Sequence, residues 1–195
     1  TFSLATGKAG FRSPEYVLVC NFPQATNGPG LMERDDVITF FHEYGHLLHG
    51  IFRGSSKWPT GDLENDFIEA PSQMFEEWPK DPAILQTFAR HYQTNEPIPA
   101  DLATKAKAAD DFGRALGVHM QMFYAATSLN FYNRNPQGLD TTQLVAQLQE
   151  RYTPFKYVAD THMQTAFDHL NGYSAVYYTY MWSLVIAKDM FTEFK

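Results

Sequence analysis

The strongest constraint on the fold is an apolar pattern of helical period in DDVITFFHEYGHLLHG, residues 35–50. Apolar side chains recur there every three or four residues, which is typical of a helix that packs one face against other protein. We expect Asp35 or Asp36 to cap its start and Gly50 to end it. The side chains predicted to form the buried face are Val37, Phe40, Phe41, Tyr44, Leu48 and Ile51.

Two histidines share the opposite face of this helix. His42 and His46 are four residues apart, so their rings stack one turn apart and their nitrogens can converge on one ion, as tetrahedral zinc requires. Glu43 lies beside them, badly placed to bind the same ion but well placed to reach a water on it. The alternative is a solvated face, yet residues 37–52 contain no Lys or Arg. His49 is expected to pack nearby rather than to bind the ion.

Composition limits the class of protein. The 195 residues are 44% hydrophobic and 15% aromatic, enough for one domain with a sizeable core. The formal net charge is −7 and Lys and Arg are not clustered, which argues against a nucleic-acid partner. No apolar run is long enough to span a membrane, and the single cysteine, Cys20, fits a reducing, cytoplasmic compartment.

The remaining pattern predicts one strand and several helices. PEYVLVCNF, residues 14–22, is rich in β-branched and aromatic residues and predicts a strand. Asp81 followed by Pro82 is typical of a helix start, and Gly113 or Gly117 is expected to interrupt the longest helix. We therefore expect a mainly α fold with a small β-element before the histidine helix. The predicted helices after it span about 62–78, 81–92, 100–132, 140–152 and 173 onward.

The helix predicted after the histidines has two distinct sides. In DFIEAPSQMFEEW the apolar residues fall on one side and the polar residues on the other. The polar residues are Asp66, Glu69, Gln73 and Glu76. Taken alone, this pattern predicts an ordinary amphipathic helix with a solvated face.

FHEYGHLLHG followed by DFIEAPSQMFEEW closely resembles the thimet oligopeptidase family, which includes oligopeptidase A and dipeptidyl carboxypeptidase. The resemblance also covers DDVITFFHEYGH and ARHYQTNEPIP, and so nearly the whole chain. It implies a zincin-like helical catalytic domain that holds one zinc ion through His42, His46 and Glu69, with Glu43 as general base. Glu76 and Asp66 are expected to orient these ligands, and simple solvation is the alternative for both.

HLNGYSAVYYTYMW, which begins at His169, resembles a tyrosine-rich segment of the same family. On a helix, Tyr173, Tyr177 and Tyr180 fall on one stripe and Tyr178 points away. The resemblance implies that Tyr177 and Tyr180 face the zinc and that Tyr180 stabilises the developing oxyanion. It also implies that His169 and Tyr173 contact the substrate. Without the resemblance, packing in the core would be the favoured interpretation.

The chain departs from the family in several places. His46 and Glu69 are 23 positions apart, about two fewer than in the family, and the shortfall falls in the loop near Lys57. The turn at Gly172 is one residue short. The family's N-terminal helical half and C-terminal tail have no counterpart, so residues 1–195 are expected to be a catalytic-domain fragment of a larger metallopeptidase.

The functional hypothesis is a zinc-dependent oligopeptidase that hydrolyses short peptides, with the β-strand offering its edge to an extended substrate. The expected partners are peptides and the missing N-terminal half, and neither nucleic acid nor membrane. One alternative is a peptidase that releases dipeptides from C-termini. An alternative of another class is a zinc-holding but inactive binding module, and the weakest is a structural helical domain without metal.

Overall fold

The computed structural model describes residues 1–22, 28–55 and 63–194. Within these ranges the fold is mainly α, as predicted, with eight α-helices and one two-stranded antiparallel sheet. The elements are β1 (Phe2–Ala5), β2 (Glu15–Val17), α1 (Arg34–Gly54), α2 (Ala70–Phe75), α3 (Pro82–Phe88), α4 (Ala100–Ala109), α5 (Arg114–Tyr132), α6 (Thr141–Tyr152), α7 (His169–Gly172) and α8 (Thr179–Phe191), with 3₁₀ turns at Met163–Thr165 and Thr192–Phe194.

The β-element is a hairpin, and the strand predicted at 14–22 is shorter than expected. Only its first part forms β2, which pairs with β1 so that Phe2 faces Val17. The Tyr16 ring packs against α1 at Gly50, so closely that a Cβ added to this glycine would come within 2.7 Å of the ring. The small residue at position 50 therefore seats the hairpin on the helix and does not end the helix.

Helix α1 begins and ends outside the predicted limits. Glu33 precedes its first turn, and the Asp36 carboxylate accepts a 2.9 Å hydrogen bond from the Glu33 backbone N–H. Asp36 is therefore the reciprocal partner at the third helical position and not the first capping residue. The helix continues one turn beyond Gly50 to Gly54. The predicted loop containing Lys57 lies outside the described residues.

The predicted buried face of α1 is wrong in part. Phe40 and Tyr44 are 39% and 38% exposed, and Gly45 is the one buried residue of the helix. A Cβ on Gly45 would come within 2.7 Å of Ser72 Cα, so the absent side chain lets α1 and α2 approach closely. Packing against α2 turns the side of α1 that carries Gly45 inward and leaves part of the apolar stripe uncovered.

The helix predicted at 62–78 is mostly turns. Only α2 is α-helical. On both sides of it, backbone N–H groups bond to the carbonyl three positions earlier, as Ala70 does to Phe67. Pro71 lies in its first turn, where a missing N–H costs nothing, and Pro79 follows its last turns. The polar side of this segment is not solvated: Glu69 is 2% exposed and Gln73 is 9% exposed.

Capping predictions further along the chain are confirmed. Asp81 accepts from the Ala83 N–H at 2.8 Å and starts α3, which ends at Phe88 rather than near residue 92. Gly113, at φ +72°, separates α4 from α5. Asp140 accepts from the Gln143 N–H at 2.9 Å and starts α6. In two cases an aspartate carboxylate accepts a hydrogen bond from a free backbone N–H of the first turn, and in the third a glycine adopts the positive φ that the helix boundary requires.

The main core lies between α5 and α6, and the site lies in a second layer where α2 packs between α1 and α8. The prediction of one helix from Tyr173 onward is wrong. The chain forms α7, leaves the helix through Ser174 at φ +43°, and starts α8 only at Thr179. The residues of the core cluster are Phe123, Ala126, Leu144, Val145 and Leu148.

Candidate metal centre

Three side chains from two helical segments converge beside α1. His42 and His46 lie one turn apart with ring centroids separated by 4.9 Å, and Glu69 reaches them from the residue just before α2. Glu69 Oε2 lies 3.2 Å from His42 Nε2 and 3.2 Å from His46 Nε2. The candidate ligand atoms of all three residues lie within 4.8 Å of one another.

Glu69 is buried but fully engaged in hydrogen bonds. The Tyr173 hydroxyl donates to Glu69 Oε1 at 2.5 Å, and the Ser72 hydroxyl lies 3.3 Å from Oε2. Burial alone would raise the pKa of this carboxyl, yet hydrogen bonds from His42, His46 and Tyr173 hold the pKa well below its usual range. Glu69 is therefore a carboxylate at neutral pH, as a metal ligand must be.

A second carboxylate fixes the His42 ring. Glu76 Oε1 lies 2.9 Å from His42 Nδ1, and Lys80 donates to Glu76 Oε2 at 3.2 Å. Because a carboxylate only accepts, this contact fixes a proton on Nδ1 and presents Nε2 toward Glu69. Burial would lower the pKa of His42, but hydrogen bonds and charge from Glu69 and Glu76 outweigh it and raise the pKa to about 9.

The donor set fits zinc. Two imidazole nitrogens and one carboxylate oxygen converge, which is the ligand combination of catalytic zinc sites with three protein ligands. The Glu76 contact on the far nitrogen of His42 is the support that such ligands usually have. His49 is not among these groups, and its ring packs edge-on against Phe67 at 6.3 Å, as predicted.

Glu43 projects from α1 beside the two histidines. Its side chain is 29% exposed, and its Oε2 lies 3.6 Å from the Thr1 nitrogen at the start of the hairpin. Burial is the main cause that raises the pKa of Cys20, and the Glu43 charge adds to it.

Three tyrosines and a histidine form a ring cluster over Glu69. The Tyr177 and Tyr180 ring centroids are 4.8 Å apart, and Tyr173 stacks on Tyr180 at 5.4 Å. His169 Nε2 lies 3.2 Å from the Tyr180 hydroxyl. The predicted grouping of the three tyrosines is present, but the link between α7 and α8 produces it, and not one continuous helix.

The tyrosine hydroxyls stay protonated across the neutral range. Burial and the neighbouring Tyr124 raise the pKa of Tyr177 to about 12. Burial and the charge of Glu69 raise the pKa of Tyr180 to about 12. Burial and Glu69 also raise the pKa of Tyr173 far above its usual value. All three phenols are therefore able to donate hydrogen bonds.

Asp66 is not in contact with the candidate metal ligands. Its carboxylate accepts a 3.0 Å hydrogen bond from the Tyr178 hydroxyl, and its backbone oxygen accepts from Ser183 at 2.9 Å. The structure does not bring Asp66 together with the three candidate ligands, because the chain before Glu69 is in turns and the Asp66 contacts are with Tyr178 and Ser183. Tyr178 points away from the cluster, as predicted.

Sequence reasoning missed two supports of the site. Lys80 joins Glu76 to Glu77, which also binds Lys188 of α8 at 2.6 Å. The four-residue spacing of Glu76 and Lys80 was a signal that could have found the first pair. Ser72, whose hydroxyl donates to the Glu69 backbone oxygen at 2.9 Å, carries no such signal.

Comparison with known proteins decides the family. The chain matches the family described as "Peptidase family M3" over residues 2–195. It belongs to peptidase family M3. Mitochondrial intermediate peptidase of Pongo abelii is 32% identical to this M3 chain over 191 residues, covering 94% of this chain and 26% of that protein. Oligopeptidase A of Escherichia coli is 32% identical over 192 residues, covering 94% and 28%.

Membership of family M3 confirms the predicted resemblance and the helical zincin-like fold. Mitochondrial intermediate peptidase 1 of Cryptococcus neoformans is 35% identical over 193 residues, covering 96% of this chain and 25% of that protein. The M3 chain therefore spans about a quarter of the length of these relatives. Within the described ranges, no helix combines the length and the apolar character needed to cross a bilayer.

Proposed function

We propose that this chain is a zinc-dependent metallopeptidase that hydrolyses peptide bonds in short peptides, with one zinc ion held by His42, His46 and Glu69. The observation that carries the proposal is the position of Glu69 Oε2, which lies 3.2 Å from Nε2 of both histidines. Membership of family M3 supports the peptidase class, and the two-nitrogen, one-oxygen donor set supports zinc.

When bound, zinc supplies Lewis-acid chemistry, activating a water for attack and polarising the carbonyl to be cleaved. Glu43 accepts the proton of the attacking water on its carboxylate and then delivers that proton to the leaving amine. Its place beside the ligands, outside the convergent set, suits this role. Glu76 keeps His42 Nε2 directed at the site throughout.

Tyr180 and Tyr177 donate hydrogen bonds to the oxyanion that develops on the attacked carbonyl. The support is their position in the ring cluster over Glu69, together with the raised pKa values, near 12 in both cases, that keep their protons in place. His169, at 3.2 Å from the Tyr180 hydroxyl, contacts the bound peptide at the same edge. Tyr173 borders this edge through its stack on Tyr180.

A quenched fluorescent peptide assay with parallel zinc quantification tests the proposal. We expect one zinc per chain, loss of cleavage on chelation and recovery on adding zinc. Glu43→Gln should keep the zinc and lose turnover, and retained turnover in this variant would remove Glu43 as the base. Zinc binding without cleavage in the wild type would instead support the inactive binding module.

The cleavage mode is tested with a peptide pair that differs only at its C-terminus. We propose cleavage within the peptide, so a free acid and its C-terminal amide should be cleaved at comparable rates. An enzyme that releases C-terminal dipeptides recognises the free carboxylate, so loss of activity on the amide, with dipeptide products from the acid, would establish that alternative.

We also propose that the chain is the catalytic part of a longer metallopeptidase whose N-terminal half is its partner. The support is that it spans about a quarter of its relatives, and that Phe112 and Val185 are 93% and 69% exposed. Adding the parent's N-terminal half should raise activity and slow hydrogen exchange at these helices. Unchanged exchange and activity would contradict the proposal.

We propose a cytoplasmic location, supported by the single cysteine. Two of the similar proteins are named for mitochondria, so the test is fractionation of the source cells. Recovery in the soluble cytosolic fraction supports the proposal, and recovery in an organelle overturns it.

A further inference from the structure

The two oxygens of Glu69 have different surroundings. Oε2 faces His42 Nε2 and His46 Nε2, each at 3.2 Å. Oε1 accepts a hydrogen bond from the Tyr173 hydroxyl at 2.5 Å. Since Glu69 is 2% exposed, solvent has little access to Oε1, and Tyr173 is its hydrogen-bond partner in the described structure.

We propose that Tyr173 is a positioning residue that holds Glu69 Oε1 away from the metal, so that Glu69 binds through Oε2 alone. The inference rests on the proposed function. A carboxylate can bind zinc through one oxygen or through both, and a strong donor on one oxygen favours the first mode. The coordination position that Oε1 would occupy is then left for water or substrate.

Tyr173 is itself held in place. Its ring stacks on Tyr180, with 27° between the planes, and contacts His169 at 5.8 Å between centroids. Its backbone N–H donates to the His169 backbone oxygen at 2.8 Å. The hydroxyl therefore approaches Glu69 from a fixed direction, as a group that sets the orientation of a ligand must.

Proton counting separates this role from substrate binding. A phenol carries one donatable proton, and Glu69 takes the proton of Tyr173. Tyr173 therefore has no proton for a substrate carbonyl, whereas Tyr177 and Tyr180 do not contact Glu69 in this way. The expected substrate role of Tyr173 is replaced by a role in orienting the metal ligand.

The test compares Tyr173→Phe with Tyr178→Phe, its matched control. Each change removes one phenolic hydroxyl that donates to a carboxylate, but the Tyr178 hydroxyl donates to Asp66, outside the site. Zinc affinity is measured by competition with a chromophoric chelator, and coordination number by the visible spectrum of the cobalt-substituted protein, whose intensity falls as coordination rises. Circular dichroism establishes that each variant is folded.

We expect Tyr173→Phe to bind zinc about 10-fold to 100-fold more weakly and to give a weaker cobalt spectrum, and Tyr178→Phe to match the wild type in both. Wild-type zinc affinity and spectrum in Tyr173→Phe would overturn the inference. If Tyr173→Phe does not fold, infrared difference spectra of the wild type establish whether Glu69 binds through one oxygen or two. A wide separation of the carboxylate stretches on zinc binding supports one-oxygen binding, and a narrow separation overturns it.

These readouts do not depend on turnover. A wild type that binds zinc but cleaves no peptide would refute the proposed peptidase, while the comparison of zinc affinities would still judge Tyr173. A wild type that binds no zinc would refute both proposals.

Discussion

Gln73 Nε2 donates a 3.0 Å hydrogen bond to the backbone oxygen of Tyr180, which joins the helix after Glu69 to the second residue of α8. This bond crosses the contact between the metal-ligand segment and the helix that carries the proposed oxyanion donor. The Thr179 hydroxyl adds a second link, to the Asn65 backbone oxygen at 2.8 Å. The position of Tyr180 relative to the three candidate ligands therefore depends on side chains outside that group.

Gln73→Met should lower kcat by about 10-fold to 100-fold and change KM little, because it removes the bond that fixes the Tyr180 backbone against α2 and leaves the other site side chains in place. Gln164→Met is the matched control: Gln164 Nε2 donates to Thr142 at 2.9 Å, and both glutamines have a buried Oε1 without a partner in the described residues. Steady-state kinetics on both variants measure the effect. Equal kcat values in the two would contradict the role of Gln73.

Glu76→Gln should weaken zinc binding by about 10-fold to 100-fold, because a neutral amide orients His42 less firmly than a carboxylate does. Glu77→Gln is the control, since Glu77 is adjacent and also pairs with Lys80, yet its other partner is Lys188 and not a histidine. Chelator competition measures both affinities. Equal losses of zinc affinity in the two variants would contradict the role of Glu76 in orienting His42.

Zinc binding near pH 7 should release a proton. In chelator-treated protein the pKa of His42, raised to about 9, keeps its ring protonated at pH 7, and zinc must displace that proton. Calorimetry in two buffers with different ionisation enthalpies counts the protons released. Identical heats in both buffers would show that the ring was already neutral.

The pKa shifts of His42 and Glu69 make the stability of the zinc-free protein depend on pH. The raised pKa of His42 stabilises the fold fully below its unfolded value of 6.5, and this contribution is lost as the pH rises through about 9. The lowered pKa of Glu69 stabilises the fold above its usual value of 4.5, and this contribution is lost as the pH falls. Denaturant unfolding in excess chelator should therefore be most resistant between about pH 4.5 and 6.5. A maximum at alkaline pH would contradict the pairing.

Gly45→Ala should destabilise the protein by about 1 to 3 kcal/mol and weaken zinc binding, because the new Cβ would lie 2.7 Å from Ser72 Cα and push α1 from α2. Gly117→Ala is the control, since nothing lies within 4 Å of a Cβ at that position in α5, and alanine should stabilise the helix slightly. Thermal unfolding and zinc titration compare them. A neutral effect of Gly45→Ala would show that the helices do not need this contact.

The histidine pair was predictable because helix geometry alone places residues four apart on one face. Glu69 was not predictable in this way. It lies 23 positions beyond His46, and residues 65–69 are in turns, so only the family motif linked the two. The polar face containing Glu69 is buried because α2 packs between two helices, a tertiary fact that no local pattern contains.

The errors have the same origin. Tyr173 and Tyr177 were grouped by assuming one helix, yet the chain leaves the helix through Ser174 at φ +43°, and both rings instead contact Tyr180. Asp66 was placed with Glu69 because the two are three positions apart and would share a face of one helix, and turns removed that relation. Local capping, in contrast, was predicted well at Asp81 and Asp140, because the cap depends on neighbouring backbone only.

X-ray absorption at the zinc edge, combined with a crystal structure of the zinc-loaded chain, tests the central claim most directly. We expect one zinc bound by Nε2 of His42, Nε2 of His46 and one oxygen of Glu69, each at about 2.0 to 2.2 Å. A zinc ion bound elsewhere, or one whose shell contains both imidazoles without the Glu69 carboxylate, would contradict it.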